Sequence, residues 1–390
     1  MVSSFTLSKI PQIIFGPETT EELPSIIKKF GHAVLIITGA SSFKSSVKGK
    51  NLLNNLESEK LEIYRARIIK EPSPTDIDEI VREYFHKNVN VVVAIGGGST
   101  LDAGKAVSAM LISGEKVKDY LEGVGTKVHP GIKLPFIAVP TTSGTGSETT
   151  NNSVISEIGE RGFKRSLRHN NFVPDYAIID PTLILGCPPE ITAACGMDAF
   201  TQLLESYLSN KANLLTDSLA IEGLRCIKTS LLNAYKDGKN IKARTSMAYA
   251  AMISGITLTN AGLGVIHGFA SSLGGFTDIP HGKVCGTLMG VTNRMNVEVL
   301  VEENNDNLAL RKYATVGKIF AGVTGRDYKY YAEALIDYIE ELITTFKLPR
   351  LGDFGVKVEQ LDKLITATSL KNNPVLLSKE DLRNIILSRI

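Results

Sequence analysis

The sequence predicts two structural units: an α/β domain built on a parallel sheet over residues 1–185, and an all-helical domain over 186–390. Three observations lead there. At 390 residues the chain exceeds what a single hydrophobic core usually supports, so two cores are expected. From 33 to 185, short β-branched runs alternate with helix-patterned segments, as in a doubly wound parallel sheet. After Pro181, strand-like runs become few and helical periodicity continues to Ile390.

Each element follows from its local pattern. The strand candidates are AVLIIT (33–38), LEIYRARI (61–68), VNVVVAI (89–95), LPFIAVP (134–140) and DYAIID (175–180). VNVVVAI is apolar on both faces, as a central parallel strand should be. Ser73 before Pro74 and Thr75 supplies a helix start, and Ile77, Ile80, Val81 and Tyr84 then recur at helical spacing. In the second half, helix breaks are expected at Gly238, Gly262/Gly264, Pro280, Gly325, Pro349 and Pro374. The most apolar long stretch, Ser246 to Gly268, is interrupted by Thr257, Thr259, Asn260 and His267, and reads as a buried helix rather than a membrane span. With no internal repeat and no low-complexity linker, the two units should share a close interface, where ligand clefts form.

Composition removes several partner classes. Hydrophobic residues make up 43% and charged residues 22%, the balance of an ordinary globular chain. Lys+Arg (43) nearly cancel Asp+Glu (41), so nucleic acid and anionic membranes are not expected partners. Cys187, Cys195, Cys226 and Cys285 form no CxxC pair and no evident disulfide framework. The N-terminus lacks a basic region followed by an apolar run, so a cytoplasmic protein is expected.

Chemistry gathers in three loops. In VVVAIGGGSTLDAGKAV (91–107), a buried strand turns through Gly96, Gly97 and Gly98 into a helix whose free N–H groups favour an anion. AVPTTSGTGSE (138–148) ends another strand with five hydroxyl side chains and two glycines between Thr141 and Ser147, suited to phosphate or ribose oxygens. Two such loops at the carboxyl ends of strands in one sheet define a nucleotide crevice. In IITGASSFKSS (36–46), no acidic residue stands where an NAD enzyme commonly reads the ribose 2′-hydroxyl. Gly39 leaves room there, and Ser41, Ser42 and Lys44 suit a 2′-phosphate, so NADP is favoured with NAD as the alternative.

A fourth constellation reads as a metal site. In GMDAFTQLLESY (196–207), Asp198 and Gln202 are four apart on one helix face. Two of the six histidines, His267 and His281, lie in GVIHGFASSLGGFTDIPHGK. With Asp198 they make a two-histidine, one-carboxylate set suited to Fe(II) or a similar divalent ion.

GGGSTLDAGKAV, PTTSGTGSE, GMDAFTQLLESY and His267…PHG occur in the order and spacing of the iron-containing (group III) alcohol dehydrogenases. The chain resembles that family from Phe15-Gly16 to its C-terminus, and looks similar to NADP-using propanediol and butanol dehydrogenases at Thr38-Gly39-Ala40-Ser41-Ser42. The resemblance implies an N-terminal dinucleotide-binding domain, a helical metal domain, a homodimer, and hydride transfer between an alcohol or aldehyde substrate and nicotinamide. It places the pyrophosphate loop on Gly97, Gly98 and Ser99, the nicotinamide-amide contact on Asp102, and the threonine loop on Thr141, Thr142 and Thr145. The cofactor lysine falls on Lys164, the adenosine side on Leu183, and the metal ligands on Asp198, Gln202, His267 and His281.

Two positions depart from the family pattern. Gln202 stands where the family has a ligating histidine, and Ser271 where it has a histidine near the nicotinamide. Gln202 retains an amide oxygen able to ligate a hard cation, so a weakly held Fe2+, with Zn2+ or another divalent ion as alternatives, is expected. The loss at Ser271 leaves no evident general base. The alternative readings are a same-fold enzyme of altered chemistry, such as a glycerol, glycerol-phosphate or dehydroquinate synthase-like enzyme, a metal-free activity, or a catalytically weak nucleotide-binding protein.

Overall fold

The computed structural model describes residues 4–40, 42–159, 162–303 and 307–390. Its strands are β1 (Gln12–Phe15), β2 (Ala33–Thr38), β3 (Glu62–Arg67), β4 (Val91–Gly96), β5 (Phe136–Pro140), β6 (Asn152–Glu157), β7 (Phe163–Arg168) and β8 (Tyr176–Ile179). Six of them form one all-parallel sheet in the order β1-β8-β5-β4-β2-β3, while β6 and β7 make a separate antiparallel hairpin.

Alternation along these strands divides the apolar side chains between two faces. Leu35, Ile37, Val92 and Ala94 pack on one side under α4 (Pro74–Tyr84) and α5 (Gly98–Met110). Val34, Ile36, Val91 and Val93 pack on the other under α1 (Leu23–Lys28) and α3 (Val47–Ser58), the short α2 (Ser42–Ser45) preceding α3. β4 is buried along its whole length, as its uniformly apolar sequence requires. The Ser73 start is a full capping box: Ser73 Oγ accepts from the Asp76 amide while Asp76 accepts from the Ser73 amide.

Beyond Pro188 the described chain is helical. α6 (Pro189–Leu208), α7 (Leu214–Lys236), α8 (Ile241–Ala261), α9 (Val265–Phe276) and α10 (His281–Glu303) form the body of this domain. α11 (Leu308–Ala321), α12 (Tyr328–Thr345), α13 (Leu361–Ala367) and α14 (Lys379–Leu387) complete it. Its core joins Met197, Phe200 and Leu203 of α6 to Phe269 of α9, Leu288 of α10 and Tyr313 of α11.

Two expectations are corrected. Ser246 to Gly268 is not one helix: α8 and α9 meet at a 97° bend over Gly262–Gly264, where Gly262 adopts φ +74°. No single helix among the described residues is long and apolar enough to cross a membrane. The second correction adds β1 and the β6–β7 hairpin to the five expected strands. The hairpin packs between α5 and α9, so it bridges the sheet domain and the helical domain.

Candidate active site

Strand order locates the nucleotide crevice. From β2 the chain goes outward to β3, then returns to place β4 on the opposite side of β2 and continues to β5. The carboxyl ends of β2 and β4 therefore flank a topological switch point, where open α/β sheets bind ligands. Gly39 follows β2 and lies beside Thr100 in the first turn of α5. Gly97 caps that helix with extended backbone, leaving its first amides free of a side-chain cap.

The glycine loop and the threonine loop touch. A Cβ added to Gly98 would lie 2.5 Å from Thr145 Cγ2, so only glycine lets the two loops close on each other. Thr141 is tied to the end of β4 through its amide and the Gly96 carbonyl, at 2.9 Å. Thr141, Thr142 and Thr145 stay half-buried while the intervening Ser143 and Gly144 are buried, so these threonines form the open edge of the loop. Gly97, Gly98 and Ser99 are likewise half-buried. Gly146 closes the loop at φ +62° against the backbone of Gly255 in α8, with no room for a side chain.

Beneath this loop lies a buried charge cluster absent from the sequence reading. Lys105 of α5 is fully buried and donates to the Ser147 carbonyl (2.9 Å), Thr150 Oγ1 (2.8 Å) and the Asn152 carbonyl (2.7 Å). Burial pulls its ammonium down to about 8, against the opposing attraction of Asp102 and Glu148. Burial likewise pushes the Glu148 carboxyl up to about 7. Asp102 accepts from Ser147 Oγ at 2.5 Å and from the Val154 amide at 3.1 Å, and burial raises its carboxyl as well.

The remaining cofactor candidates divide. Lys164 of β7 pairs with both Glu71 oxygens at 2.6 Å, and its stem lies against Gly274 of α9. Glu71 is desolvated, but Lys164 outweighs that and holds it below the usual carboxylate range. Leu183 packs at the edge of the sheet core after the turn in which Asp180 accepts from Thr182 and Thr20. Ser41 lies outside the described residues, as do the side chains of Ser42 and Lys44. Arg67, at the end of β3 beside β2, donates to the Ala40 carbonyl and brings a guanidinium to the loop after β2.

Three helices converge on the second constellation. Asp198 of α6, His267 of α9 and His281 at the first turn of α10 come together with Cys285, one turn further along α10. One potential ligand atom from each lies within 4.8 Å of the others. Asp198 Oδ1 is 3.5 Å from Nε2 of both histidines, and the Cys285 sulfur is 3.7 Å from His267 Nε2 and 3.8 Å from His281 Nε2. Asp198 is 2% exposed, yet its Oδ1 has no hydrogen-bond partner. A buried carboxylate oxygen facing two imidazole nitrogens and a sulfur is a donor set that could hold a cation.

Burial and the neighbouring charges act differently on these groups. Burial raises the Asp198 carboxyl, but His281 and His267 outweigh it and leave it below its ordinary value. Burial pushes His281 down to about 4, so its neutral, ligating form prevails. At His267 burial opposes the charge, but Cys285, Glu205 and Asp198 together hold it well above the ordinary histidine value. Glu205, seven residues after Asp198 on α6, lies 2.6 Å from His267 Nδ1 and also accepts the Ile266 amide at 2.7 Å. A carboxylate behind a ring nitrogen turns the other nitrogen toward the metal position. The i, i+7 spacing to Asp198 was the available signal for Glu205, and the i, i+4 spacing to His281 the signal for Cys285.

Gln202 and Ser271 are engaged elsewhere. Gln202 Oε1 lies 2.7 Å from the Ser254 hydroxyl of α8. Ser271 donates to the His267 carbonyl at 2.8 Å, an intrahelical bond that ties up its only proton.

Comparison with known proteins agrees with this geometry. Residues 11–181 match the model of the iron-containing alcohol dehydrogenase family, and 192–390 match that of the Fe-containing alcohol dehydrogenase family, C-terminal. The chain is 34% identical over 394 residues to alcohol dehydrogenase 4 of Saccharomyces cerevisiae, covering 99% of this chain and 98% of that protein. It is 31% identical over 354 residues to 1,3-propanediol dehydrogenase of Citrobacter freundii, covering 89% and 88%. Among solved structures, an archaeal halo-thermophilic alcohol dehydrogenase from a Red Sea brine pool superposes with a TM-score of 0.90 at 28% identity, covering 100% of this chain and 99% of that one.

Proposed function

The chain belongs to the iron-containing alcohol dehydrogenase family, and from that premise we propose that it is a metal-dependent, NADP(H)-linked alcohol dehydrogenase and aldehyde reductase acting on primary alcohols or diols. The observation that carries the metal dependence is the orphaned Asp198 Oδ1, set 3.5 Å from two imidazole nitrogens in a buried pocket. The donor chemistry there fits a divalent ion, with Asp198, His267 and His281 as its holders. When bound, such an ion supplies positive charge that lowers the pKa of an alcohol hydroxyl and polarises a carbonyl.

The chain's own groups do the positioning. Glu205 fixes the ring of His267 through Nδ1, so that Nε2 faces the centre. Gly97, Gly98, Ser99 and the first turn of α5 receive the pyrophosphate, and Thr141, Thr142 and Thr145 line the opposite wall. The loop after β2 supports NADP: it has no carboxylate at Gly39 or Ala40, and it carries the Arg67 guanidinium on the Ala40 carbonyl. With Ser271 donating its proton to its own helix and no histidine at that position, the substrate proton leaves through water, hydroxyls or the cofactor ribose. The four free cysteines suit the reducing cytoplasm.

The test is NADPH oxidation with a panel of short aldehydes, on protein stripped of metal and then given anaerobic Fe2+, Zn2+ or nothing. Activity restored by a metal and at least about tenfold better with NADPH than NADH upholds the reading. Turnover indifferent to metal, or none under any condition, overturns it.

A further inference from the structure

We propose that Cys285 is a metal ligand in this protein, standing in for the helical position occupied by Gln202, and that the resulting Asp–His–His–Cys set favours zinc-class ions over iron(II). The inference rests on the metal-dependent reading above but concerns which atoms hold the ion.

Geometry is the first argument. A tetrahedral centre with metal–nitrogen bonds of about 2.0–2.1 Å and a metal–sulfur bond of about 2.3 Å separates nitrogen from sulfur by about 3.5–3.6 Å. The two observed nitrogen–sulfur separations are 3.7 and 3.8 Å. Nitrogen and carboxylate oxygen should stand about 3.3 Å apart in such a centre, and both observed values are 3.5 Å. Four of the six edges of such a polyhedron are therefore within a few tenths of an ångström of a metal-bound centre, and all four atoms lie within 4.8 Å of one another.

Local structure is the second. His281 and Cys285 are four apart on α10, so one helix face presents both. Cys285 is fully buried, its sulfur lies within hydrogen-bond range of both ligand histidines, and it also hydrogen-bonds Asp198. Gln202 Oε1 has its own neighbour in Ser254, at 2.7 Å, so engaging a metal would mean leaving that hydroxyl. On binding, the thiol S–H bond breaks, the sulfur–metal bond forms, and the proton passes to solvent. No oxidant is consumed. A soft thiolate in place of a harder donor shifts preference toward zinc and cobalt.

Titration of metal-stripped protein with Co2+ and Zn2+ tests this. One Co2+ per chain should bind with a near-ultraviolet thiolate-to-cobalt charge-transfer band. Cys285→Ser should lose the band and bind Zn2+ at least about tenfold more weakly, whereas Gln202→Ala should keep the band and lose less than about threefold. Co2+ bound without the band, an affinity loss in Gln202→Ala rather than Cys285→Ser, or no metal bound at all would overturn the proposal. The band is read on the unaltered protein, so a poorly folding Cys285→Ser leaves the test intact. The two readings fail separately. A thiolate band without metal-restored turnover refutes the dehydrogenase, while metal-restored turnover without the band refutes Cys285 as ligand.

Discussion

Glu148 lets the buried charge cluster under the threonine loop be tested through pH. Its folded-state carboxyl titrates at about 7 against an ordinary value of 4.5, because burial penalises the charged form. Between those values the folded chain holds a proton that the unfolded chain has released, so stability falls as pH rises. The contribution is fully present below about pH 4.5 and lost by the time pH passes 7. A shift of that size corresponds to about 3 kcal/mol, an order-of-magnitude figure for a group only 3% exposed. Lys105 does not confuse this window. Its ammonium is lowered to about 8 from 10.5, so it is charged in both states below pH 7 and acts only at higher pH, with the opposite slope. Glu148→Gln is a neutral mimic of the protonated side chain. Guanidinium unfolding of the metal-free protein should show the variant close to wild type at pH 5 and about 2–3 kcal/mol more stable at pH 8. Parallel stability curves for the two proteins from pH 5 to 8 would refute the buried, proton-holding carboxyl.

Three further outcomes follow from named contacts. Arg67→Ala should weaken NADPH binding about tenfold while leaving NADH within twofold, because a guanidinium–phosphate bond contributes about 1.5–3 kcal/mol and only NADPH carries the 2′-phosphate; equal effects on both cofactors in a fluorescence titration would remove Arg67 from cofactor selection. Glu205→Gln should weaken Zn2+ binding about 10–100-fold in equilibrium dialysis by loosening the His267 ring, and an affinity within twofold of wild type would contradict that role. Ser271→His should raise kcat for alcohol oxidation at neutral pH about tenfold or more by supplying a proton acceptor, and an unchanged pH–rate profile would mean that proton removal does not limit the reaction.

How much of this was legible in the sequence depended on local signal strength. All five expected strands lie in the parallel sheet: β2, β4 and β5 are apolar and buried along their length, β8 is short but mostly buried, and β3 was found from its Ile-Tyr run although it is a charged, partly exposed edge strand. β1 is only four residues at a sheet edge, and β6 and β7 read NSVISE and FKRSLR, too polar and irregular to separate from loop. The break at Gly262/Gly264 was legible as glycine punctuation, whereas the reading of Ser246–Gly268 as one buried helix followed the continuous apolar run across it. At the metal constellation, histidines near PHG and a helical Asp were readable as types. Cys285 was weighed only against CxxC and disulfide spacings, and its partnership with His281 depends on α10 beginning at that histidine. The Lys105–Glu148 cluster has no sequence signal at all: two charged residues 43 apart look solvated until the fold buries them.

Close glycine approaches and side-chain bonds together hold the loops of the site against the helical domain, Thr149 Oγ1 donating to the Met252 carbonyl of α8 at 3.0 Å. Gly98 meets Thr145, Gly146 meets Gly255, and Gly275 meets Gly162, each closer than a Cβ would allow without adjustment. The middle contact is the informative one, because α8 also carries Ser254, which stands beside both Gln202 Oε1 and, at 3.4 Å, the Gly144 carbonyl. Thus the residue adjoining the family's missing ligand position also borders the threonine loop that walls the nucleotide crevice. A histidine at 202 would present a rigid ring where Gln202 now presents a flexible amide to Ser254. That exchange spends the position on holding α6, α8 and the loop in register. It leaves the metal to be completed from α10, where Cys285 is already turned toward the two histidines.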